Sequence, residues 1–241
     1  MMKCGLIFGL IALAAPVQAA DVISASFDVS LAGARIMKAD YSATLDDVGY
    51  SAGLSAKTVG VSKMFSKIRL SMSANGRFSD AGLMPSAYAY ARKKNDKLKE
   101  RNLSFSQNGT LVTEGEDYDA AILAALNNKV MDPLSMLLKL SRTAKPCSGK
   151  HRAFDGRDVF DVTLTNISTS GGVLTCKLIY TPIAGGDVDG GDTDAVSYEI
   201  SLAPVANKGS YIPVRIAGSS KGVGFEVTAT SVTVNGEALS Y

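Results

Sequence analysis

The sequence predicts a mainly β fold, a single curved antiparallel sheet or open barrel with a few short helices packed on it or inside it. Two observations support this prediction. Apolar and polar residues alternate with a period of two over most of the chain, and helical periodicity is confined to its middle. A strand that alternates in this way buries one face and leaves the other in water, which is typical of antiparallel sheets.

The first predicted strands follow one another through short turns. Residues 22–31 place Ile23, Ala25 and Phe27 on one face and mostly serines on the other. Residues 37–45 and 48–54 repeat the alternation on either side of an aspartate pair. Three alternating segments with short connections predict an antiparallel meander.

The same alternation returns in the second half of the chain. It covers residues 174–180, 196–202, 212–216, 223–229 and 232–234, and shorter segments lie at 86–91, 103–106 and 159–165. Pro213 falls near a strand start, where its missing N–H is tolerated. The chain as a whole is therefore predicted to contain on the order of ten to twelve strands.

Helices are predicted between the two groups of strands. Asp119 is expected to cap a helix over residues 120–129, and a shorter helical piece is expected over residues 61–67. Asp132 and Pro133 begin a further helix that ends near residue 142, because proline is tolerated at the first helical position.

The last of these helices carries a wide apolar stripe. The stripe includes Leu134, Leu137 and Leu138. We expect these leucines to pack against the concave face of the sheet, either as core or as ligand-facing residues, rather than to face water.

Residues 1–19 have the pattern of a secretory signal peptide. Lys3 lies near the start, residues 6–15 are apolar, and Val17 and Ala19 fit the −3 and −1 positions of the cleavage site. We expect cleavage after Ala19, loss of Cys4, export to the periplasm and one β-rich domain over residues 20–241. The apolar run is shorter than the roughly 20 residues that span a bilayer, so no stable membrane insertion is expected.

The charge balance bears on the class of partner. The chain has 25 basic and 23 acidic residues, and loss of Lys3 would leave an excess of one positive charge. A nearly neutral protein has no broad field to attract a polyanion, so no nucleic-acid partner is predicted.

Two cysteines remain after the predicted cleavage, Cys147 and Cys176. An exported chain with two cysteines, neither of them in a CxxC motif, predicts one structural disulfide rather than a redox or metal pair. The only histidine, His151, cannot complete a zinc site with them. It lies between two basic residues, and in the absence of a G-x-S-x-G motif it is predicted to be a solvated loop residue rather than the base of a catalytic triad.

Two charged segments allow a functional and a structural interpretation. Asp187, Asp189, Asp192 and Asp194 form an acidic loop with glycines, which could bind calcium, but the EF-hand order fails and a solvated loop is favoured.

The densest basic stretch is a predicted hairpin whose tip is Asn95-Asp96. Its cations are Arg92, Lys93, Lys94, Lys97, Lys99 and Arg101. They could contact anionic lipid headgroups. A charged hairpin that stays in water and blocks edge pairing is favoured, with weak or no membrane binding at physiological salt.

An ordered set of short motifs extends over most of the chain. In order, these are Asp132-Pro133-Leu134-Ser135, Pro146-Cys147, Phe154-Asp155-Gly156-Arg157 with the strand that follows it, Cys176, Tyr180, Pro182, Ala184-Gly185 and Ile212-Pro213-Val214-Arg215-Ile216. The set resembles the family called domain of unknown function 3108, and the two cysteines resemble those of its alphaproteobacterial branch. The resemblance implies an exported, β-rich bacterial envelope protein without established catalytic residues. The segment 155–157 is interpreted as a tight turn, and residues 185–194 as an insertion.

The sequence shows no concentrated cluster of histidine, cysteine or carboxylate residues. We therefore expect a non-catalytic periplasmic protein without a cofactor or metal, which holds an apolar ligand or lipoprotein segment in the concave face of its sheet. The alternative is a structural or protein-interaction module whose interior is filled by its own side chains, and a hydrolase is the least favoured function. An apolar cavity of at least about 300 Å³ would favour the ligand-binding function.

Overall fold

The computed structural model describes residues 20–80, 82–126, 130–143, 145–189, 191, 194–205, 210–220 and 222–241. The predicted signal peptide, residues 1–19, lies outside the described residues. Within them the predicted fold class is confirmed, because thirteen strands form one antiparallel sheet that carries a few short helices.

The first half of the chain is the predicted meander. Its elements are β1 (Asp21–Leu31), β2 (Ala34–Leu45), β3 (Gly49–Thr58), α1 (Ser62–Phe65), β4 (Ile68–Ser79), β5 (Gly82–Lys94) and β6 (Lys97–Ser104). The side chain of Asp46 makes the turn between β2 and β3, since its Oδ1 accepts hydrogen bonds from the N–H groups of Val48 at 2.8 Å and Gly49 at 2.7 Å. Asn95 has a φ of 52° at the tip of the β5–β6 hairpin, where the sequence predicts the turn.

The strand β4 is not among the predicted strands. Its Asn75-Gly76 pair has the composition of a turn, but in the structure it is a β-bulge where the register with β5 shifts. A Cβ atom at Gly76 would lie 2.3 Å from the carbonyl oxygen of Met84, so glycine is required for the close approach of the two strands.

Two short helices lie between the halves, α2 (Ala120–Ala125) and α3 (Pro133–Ser141). Each begins as predicted. Asp119 Oδ1 accepts a hydrogen bond from the N–H of Ile122 at 2.8 Å, which caps α2. Asp132 Oδ1 accepts a hydrogen bond from the N–H of Ser135 at 2.8 Å, which caps α3. The helix α2 ends at Ala125, earlier than predicted, and residues 127–129 lie outside the described part of the chain.

The second half contains the remaining strands. They are β7 (Ser148–Phe154), β8 (Asp158–Ser170), β9 (Val173–Gly185), α4 (Gly186–Asp189), β10 (Val196–Val205), β11 (Ser210–Ser220), β12 (Val223–Val234) and β13 (Glu237–Ala238). The prediction of a loop around His151 is wrong. His151 of β7 pairs with Val162 of β8, and the other edge of β7 makes backbone hydrogen bonds to Met131. Pairing on both edges holds this polar segment in an extended conformation.

The sheet curves into an open barrel. Its strand order is β6-β5-β4-β3-β2-β1-β12-β11-β10-β9-β8-β7, with β13 added to β12. Among the described residues β6 and β7 share no backbone pairing, but side chains close the gap between them. Tyr88 and Leu103 from one edge join Phe154 and Val159 from the other in a single core cluster.

The antiparallel register places the turns at two opposite ends of the barrel. The α1 end carries the turn at 32–33, the loop at 59–67, the hairpin tip at 95–96 and the turn at 155–157. The opposite end, here called the α3 end, carries the turns at 46–48 and 171–172. No helix in the described residues is long and apolar enough to cross a membrane.

Candidate ligand-binding site

The helix α3 lies inside the barrel. It contacts β3, β4 and β5 on one side and β7 and β11 on another, and these strands are far apart in the sheet. Leu138 is 1% exposed and packs against buried residues of β2 and β3, while Leu134 joins the cluster that contains Tyr88. Leu137 is only half-buried. Two of the three leucines therefore fill the core, and the third faces a cleft.

Polar groups hold the first turn of α3 in the interior. Asp132 and Ser135 are both fully buried, and the hydroxyl groups of Tyr50 and Ser135 are 2.5 Å apart. Burial raises the pKa of Asp132 from 3.8 to about 6, although hydrogen bonds from Ser135 lower it, and its Oδ2 has no hydrogen-bond partner. Ser135 is inaccessible and already hydrogen-bonded, so these groups position the first turn of the helix.

An apolar cleft of about 120 Å³ opens beside α3. Strands β1, β2, β3, β11 and β12 form one wall and α3 the other. Its lining side chains are mainly apolar: Ile23, Phe27, Ala39, Tyr41, Leu54, Leu137, Leu138, Ile212, Pro213, Ile216 and Val227, with Ser141, Tyr211 and Arg215. The cleft is smaller than the roughly 300 Å³ at the lower end of small-molecule sites.

The concave face between this cleft and the α1 end is apolar but incompletely covered. Val29, Met37, Ala56 and Leu70 point inward and are each half-buried. At the α3 end, inward-facing residues of the same strands, such as Ala43, Leu45 and Ala52, are buried. The helix therefore covers one part of the concave face and leaves the other accessible.

A larger groove of about 480 Å³ lies across the outer surface of β1–β4 and β12. It is lined by Ser24, Ser26, Asp40, Ser42, Ser55, Ser71, Ser231 and Thr233, with a few apolar neighbours. Asp40 Oδ1 accepts a hydrogen bond from Ser26 Oγ at 2.7 Å. The groove is therefore a polar, serine-rich surface, in contrast to the apolar cleft beside α3.

A partly buried ion pair joins β7 to β8, and its arginine also reaches the end of α2. Arg152 donates from Nε and Nη2 to the two carboxylate oxygens of Asp161, both at 2.8 Å, and from Nη1 to the carbonyl oxygen of Ala125 at 2.8 Å. The hydrogen bonds from Arg152 hold the pKa of Asp161 below its usual value. These hydrogen bonds connect the end of α2 to β7 and β8, the strands beside the gap between β6 and β7.

The predicted disulfide is present between Cys147 and Cys176, whose Cα atoms are 5.3 Å apart. Both cysteines are buried, and they join a core cluster with Met136 and Leu140 of α3. The disulfide therefore connects the chain that leaves α3 to the N-terminal part of β9.

The basic hairpin divides into exposed and engaged cations. Lys93, Lys94, Lys97 and Lys99 are exposed, whereas Arg92 is half-buried. Arg101 is directed away from solvent: its Nη1 lies 2.6 Å from Asp155 Oδ2 and its guanidinium lies over the Tyr90 ring. Arg101 is therefore not placed to contact a membrane surface, unlike the other cations that the sequence offers as possible headgroup contacts.

Within the described part of the chain, the remaining sequence candidates do not assemble into a metal site. His151 is half-buried, with Nε2 3.2 Å from the carbonyl oxygen of Ser148. No three histidine, cysteine or carboxylate side chains converge in the described residues. Asp192 and the side chains of Asp187 and Asp189 lie outside the described residues, so the calcium interpretation stays a prediction.

Asp155 makes the predicted tight turn, because its Oδ1 accepts a hydrogen bond from the N–H of Arg157 at 2.9 Å.

The described residues thus define a β-rich open-barrel protein with a helix inside its concave face. A family model described as protein of unknown function, DUF3108, matches residues 26–230, and the chain belongs to this family. The resemblance seen in the sequence is therefore confirmed. The chain is also similar to a β-barrel-like protein of domain of unknown function DUF1849 from Brucella abortus, at 10% identity and a TM-score of 0.48 over 90% of this chain and 99% of that one. No curated protein matches the chain.

Proposed function

We propose that this protein is a non-catalytic, exported protein of the bacterial cell envelope that holds an apolar group in the cleft beside α3. The apolar group is an acyl chain or the apolar side chains of a lipoprotein segment. The observation that carries the proposal is the half-covered apolar concave face, which begins at Leu137 and continues to the α1 end. The secretory pattern of residues 1–19 and the disulfide support an oxidising compartment outside the cytoplasm.

The size of the cleft supports a narrow ligand. Its 120 Å³ is comparable with an engineered apolar cavity of about 150 Å³ that binds benzene. Beyond the cleft, half-buried side chains such as Val29 and Met37 continue the apolar surface toward the α1 end. A single acyl chain could lie along this strip, whereas a bulky ring system could not enter beside the helix.

A second function is favoured by one observation, the position of α3. The helix fills the concave face at the α3 end, and the cleft that remains is small. This arrangement suits an interaction module whose interior is filled by its own side chains and whose partner binds elsewhere.

Binding measurements with a cleft-filling variant distinguish the two functions. Leu137→Trp would place a large ring in the cleft, and Leu123→Trp, on the exposed side of α2, is the matched control. We expect Leu137→Trp to weaken binding of a fluorescent fatty acid by at least about tenfold, the effect of losing one buried side-chain contact, and the control to bind as the parent does.

Native mass spectrometry of protein purified from its own periplasm is the complementary measurement. We expect a co-purified lipid that is absent from Leu137→Trp. Equal probe binding by both tryptophan variants, or a parent that carries no lipid and binds no probe, would favour the self-filled module instead.

A further inference from the structure

A prominent exposed apolar group lies at the α1 end of the barrel. Val61, Met64 and Phe65 are 72%, 84% and 87% exposed, respectively. Val61 and the short helix α1 together form what is here called the α1 tip. Large apolar side chains scattered singly on a surface need no explanation, but three of them together on one projecting turn do.

The α1 tip is held in place by hydrogen bonds. Ser62 Oγ donates to the carbonyl oxygen of Ile36 at 2.8 Å. Lys67 and Asn95 exchange two hydrogen bonds, from Asn95 N–H to Lys67 O at 2.8 Å and from Lys67 N–H to Asn95 Oδ1 at 3.0 Å. These bonds join the tip to the basic hairpin, so the apolar side chains and the hairpin lysines form one continuous surface.

Cations surround the apolar tip. Lys63 lies within α1, and Lys67, Lys93 and Lys94 are exposed beside it. Lys67, Arg69 and Lys93 line a surface pocket of about 200 Å³, together with Asn95 and one carboxylate, Asp96. Three cations against one anion give this pocket a net positive charge, which suits a phosphate group.

We propose that this surface docks the protein on a membrane that contains anionic phospholipid. Met64 and Phe65 enter the boundary between headgroups and acyl chains, and the surrounding lysines contact the headgroup phosphates. Apolar and aromatic side chains flanked by lysines are the combination that binds a lipid interface. A second copy of the chain is a poorer occupant, because two positive surfaces repel each other. The proposal is independent of the cleft beside α3.

The chain contains no tryptophan, so a substituted tryptophan is a specific reporter of docking. Phe65→Trp places it at the α1 tip, and Val48→Trp places it at an exposed position of the opposite end. With vesicles of phosphatidylglycerol and phosphatidylcholine, we expect the emission of Phe65→Trp to shift to the blue and that of Val48→Trp to stay unchanged. With phosphatidylcholine alone, neither should shift.

Co-sedimentation with the same vesicles measures the two contributions separately. Replacing Lys67, Lys93 and Lys94 by glutamine should weaken binding about 100-fold, since each cation near an anionic surface contributes about fivefold. The matched control replaces Lys139, Lys145 and Lys177, which are exposed elsewhere, and should bind nearly as the parent does.

The double variant Met64→Ser, Phe65→Ser tests the apolar part of the surface. It should weaken binding at least about tenfold at 0.15 M salt, because two exposed apolar side chains can no longer be buried in lipid. The proposal is overturned if the parent does not bind, if this variant binds as tightly as the parent, or if the Phe65→Trp shift needs no anionic lipid. A concentration-dependent shift without vesicles would show self-association and would also overturn it.

Discussion

Replacing Asp132 by asparagine tests the energetic role of the buried carboxylate inside the barrel. Burial raises the pKa of Asp132 from 3.8 to about 6 in the folded protein. The folded state therefore binds the proton more tightly than the unfolded state does, so the contribution of Asp132 to stability is greatest below pH 3.8. It falls as the pH rises from 3.8 to about 6 and is constant above that. A difference of about two units between the folded and unfolded pKa values corresponds to a change of about 3 kcal/mol in the free energy of unfolding.

Asp132→Asn removes this charge and keeps a side chain that can cap α3, since asparagine and aspartate are similar helix caps. We expect the free energy of unfolding of the variant, relative to the parent, to rise by about 3 kcal/mol between about pH 3 and pH 7. Urea unfolding of the variant and of the parent at a series of pH values measures this difference. Groups such as Asp161, whose contribution to stability changes with pH in the opposite direction, are present in both proteins, so their effect cancels when the two free energies are subtracted. Asp119→Asn is the matched control, because Asp119 caps α2 in the same way but is exposed. A pH-independent difference for Asp132→Asn, or an equal slope for the control, would refute the reasoning.

Two further variants test the core. Replacing Cys147 and Cys176 by serine should lower the free energy of unfolding by about 3–4 kcal/mol for their separation of 29 residues, and leave a β-type circular dichroism spectrum. Titration of the unfolded, non-reduced parent should find no free thiol from this pair, and one reactive thiol per chain would contradict the bond. Leu138→Asp should cost about 3–5 kcal/mol by chemical unfolding because it buries a carboxylate, whereas Leu123→Asp, 46% exposed, should be nearly neutral. Equal stability of the two aspartate variants would show that α3 does not pack in the interior.

The strands that the sequence predicts well are those whose alternation is set by burial of one face. Ile23, Ala25 and Phe27 point inward on β1, as their spacing predicts, because a one-residue slip would expose all of them. Both predicted helix caps are also present, since Asp119 and Asp132 act on neighbours three residues away. Such local effects are visible in a single sequence.

The errors come from interactions between distant segments. The segment around His151 has the composition of a loop, and it becomes β7 only because it pairs with β8 and bonds to Met131. Similarly, the bulge at Gly76 depends on the close approach of Met84 from the next strand. The engagement of Arg101 by Asp155 joins residues 54 apart in the chain. No local pattern encodes these partners.

The candidate site was only partly predictable for the same reason. The stripe of α3 is visible in the sequence, but the difference between buried Leu138 and half-buried Leu137 depends on which strands curve around the helix. The α1 tip is likewise not recognisable as a surface from the sequence. Met64 and Phe65 are ordinary apolar residues in sequence, and only the structure places them, exposed, beside the hairpin lysines.

The energetics of α3 decide where a ligand can lie. Burial of Leu134, Leu138 and Leu140 contributes roughly 1.5–3 kcal/mol each, so expelling the helix would cost about 5–9 kcal/mol before any ligand contact is made. The ionised carboxylate of Asp132 offsets about 3 kcal/mol of this at neutral pH, and the helix still stays inside. Under the proposed function, an apolar ligand would therefore bind in the cleft beside α3 and would not displace the helix. Asp132→Asn stabilises the inserted helix and should therefore leave the affinity for such a ligand unchanged. A ligand that displaced α3 would instead bind the variant more weakly, by the same free energy that the variant gains in stability.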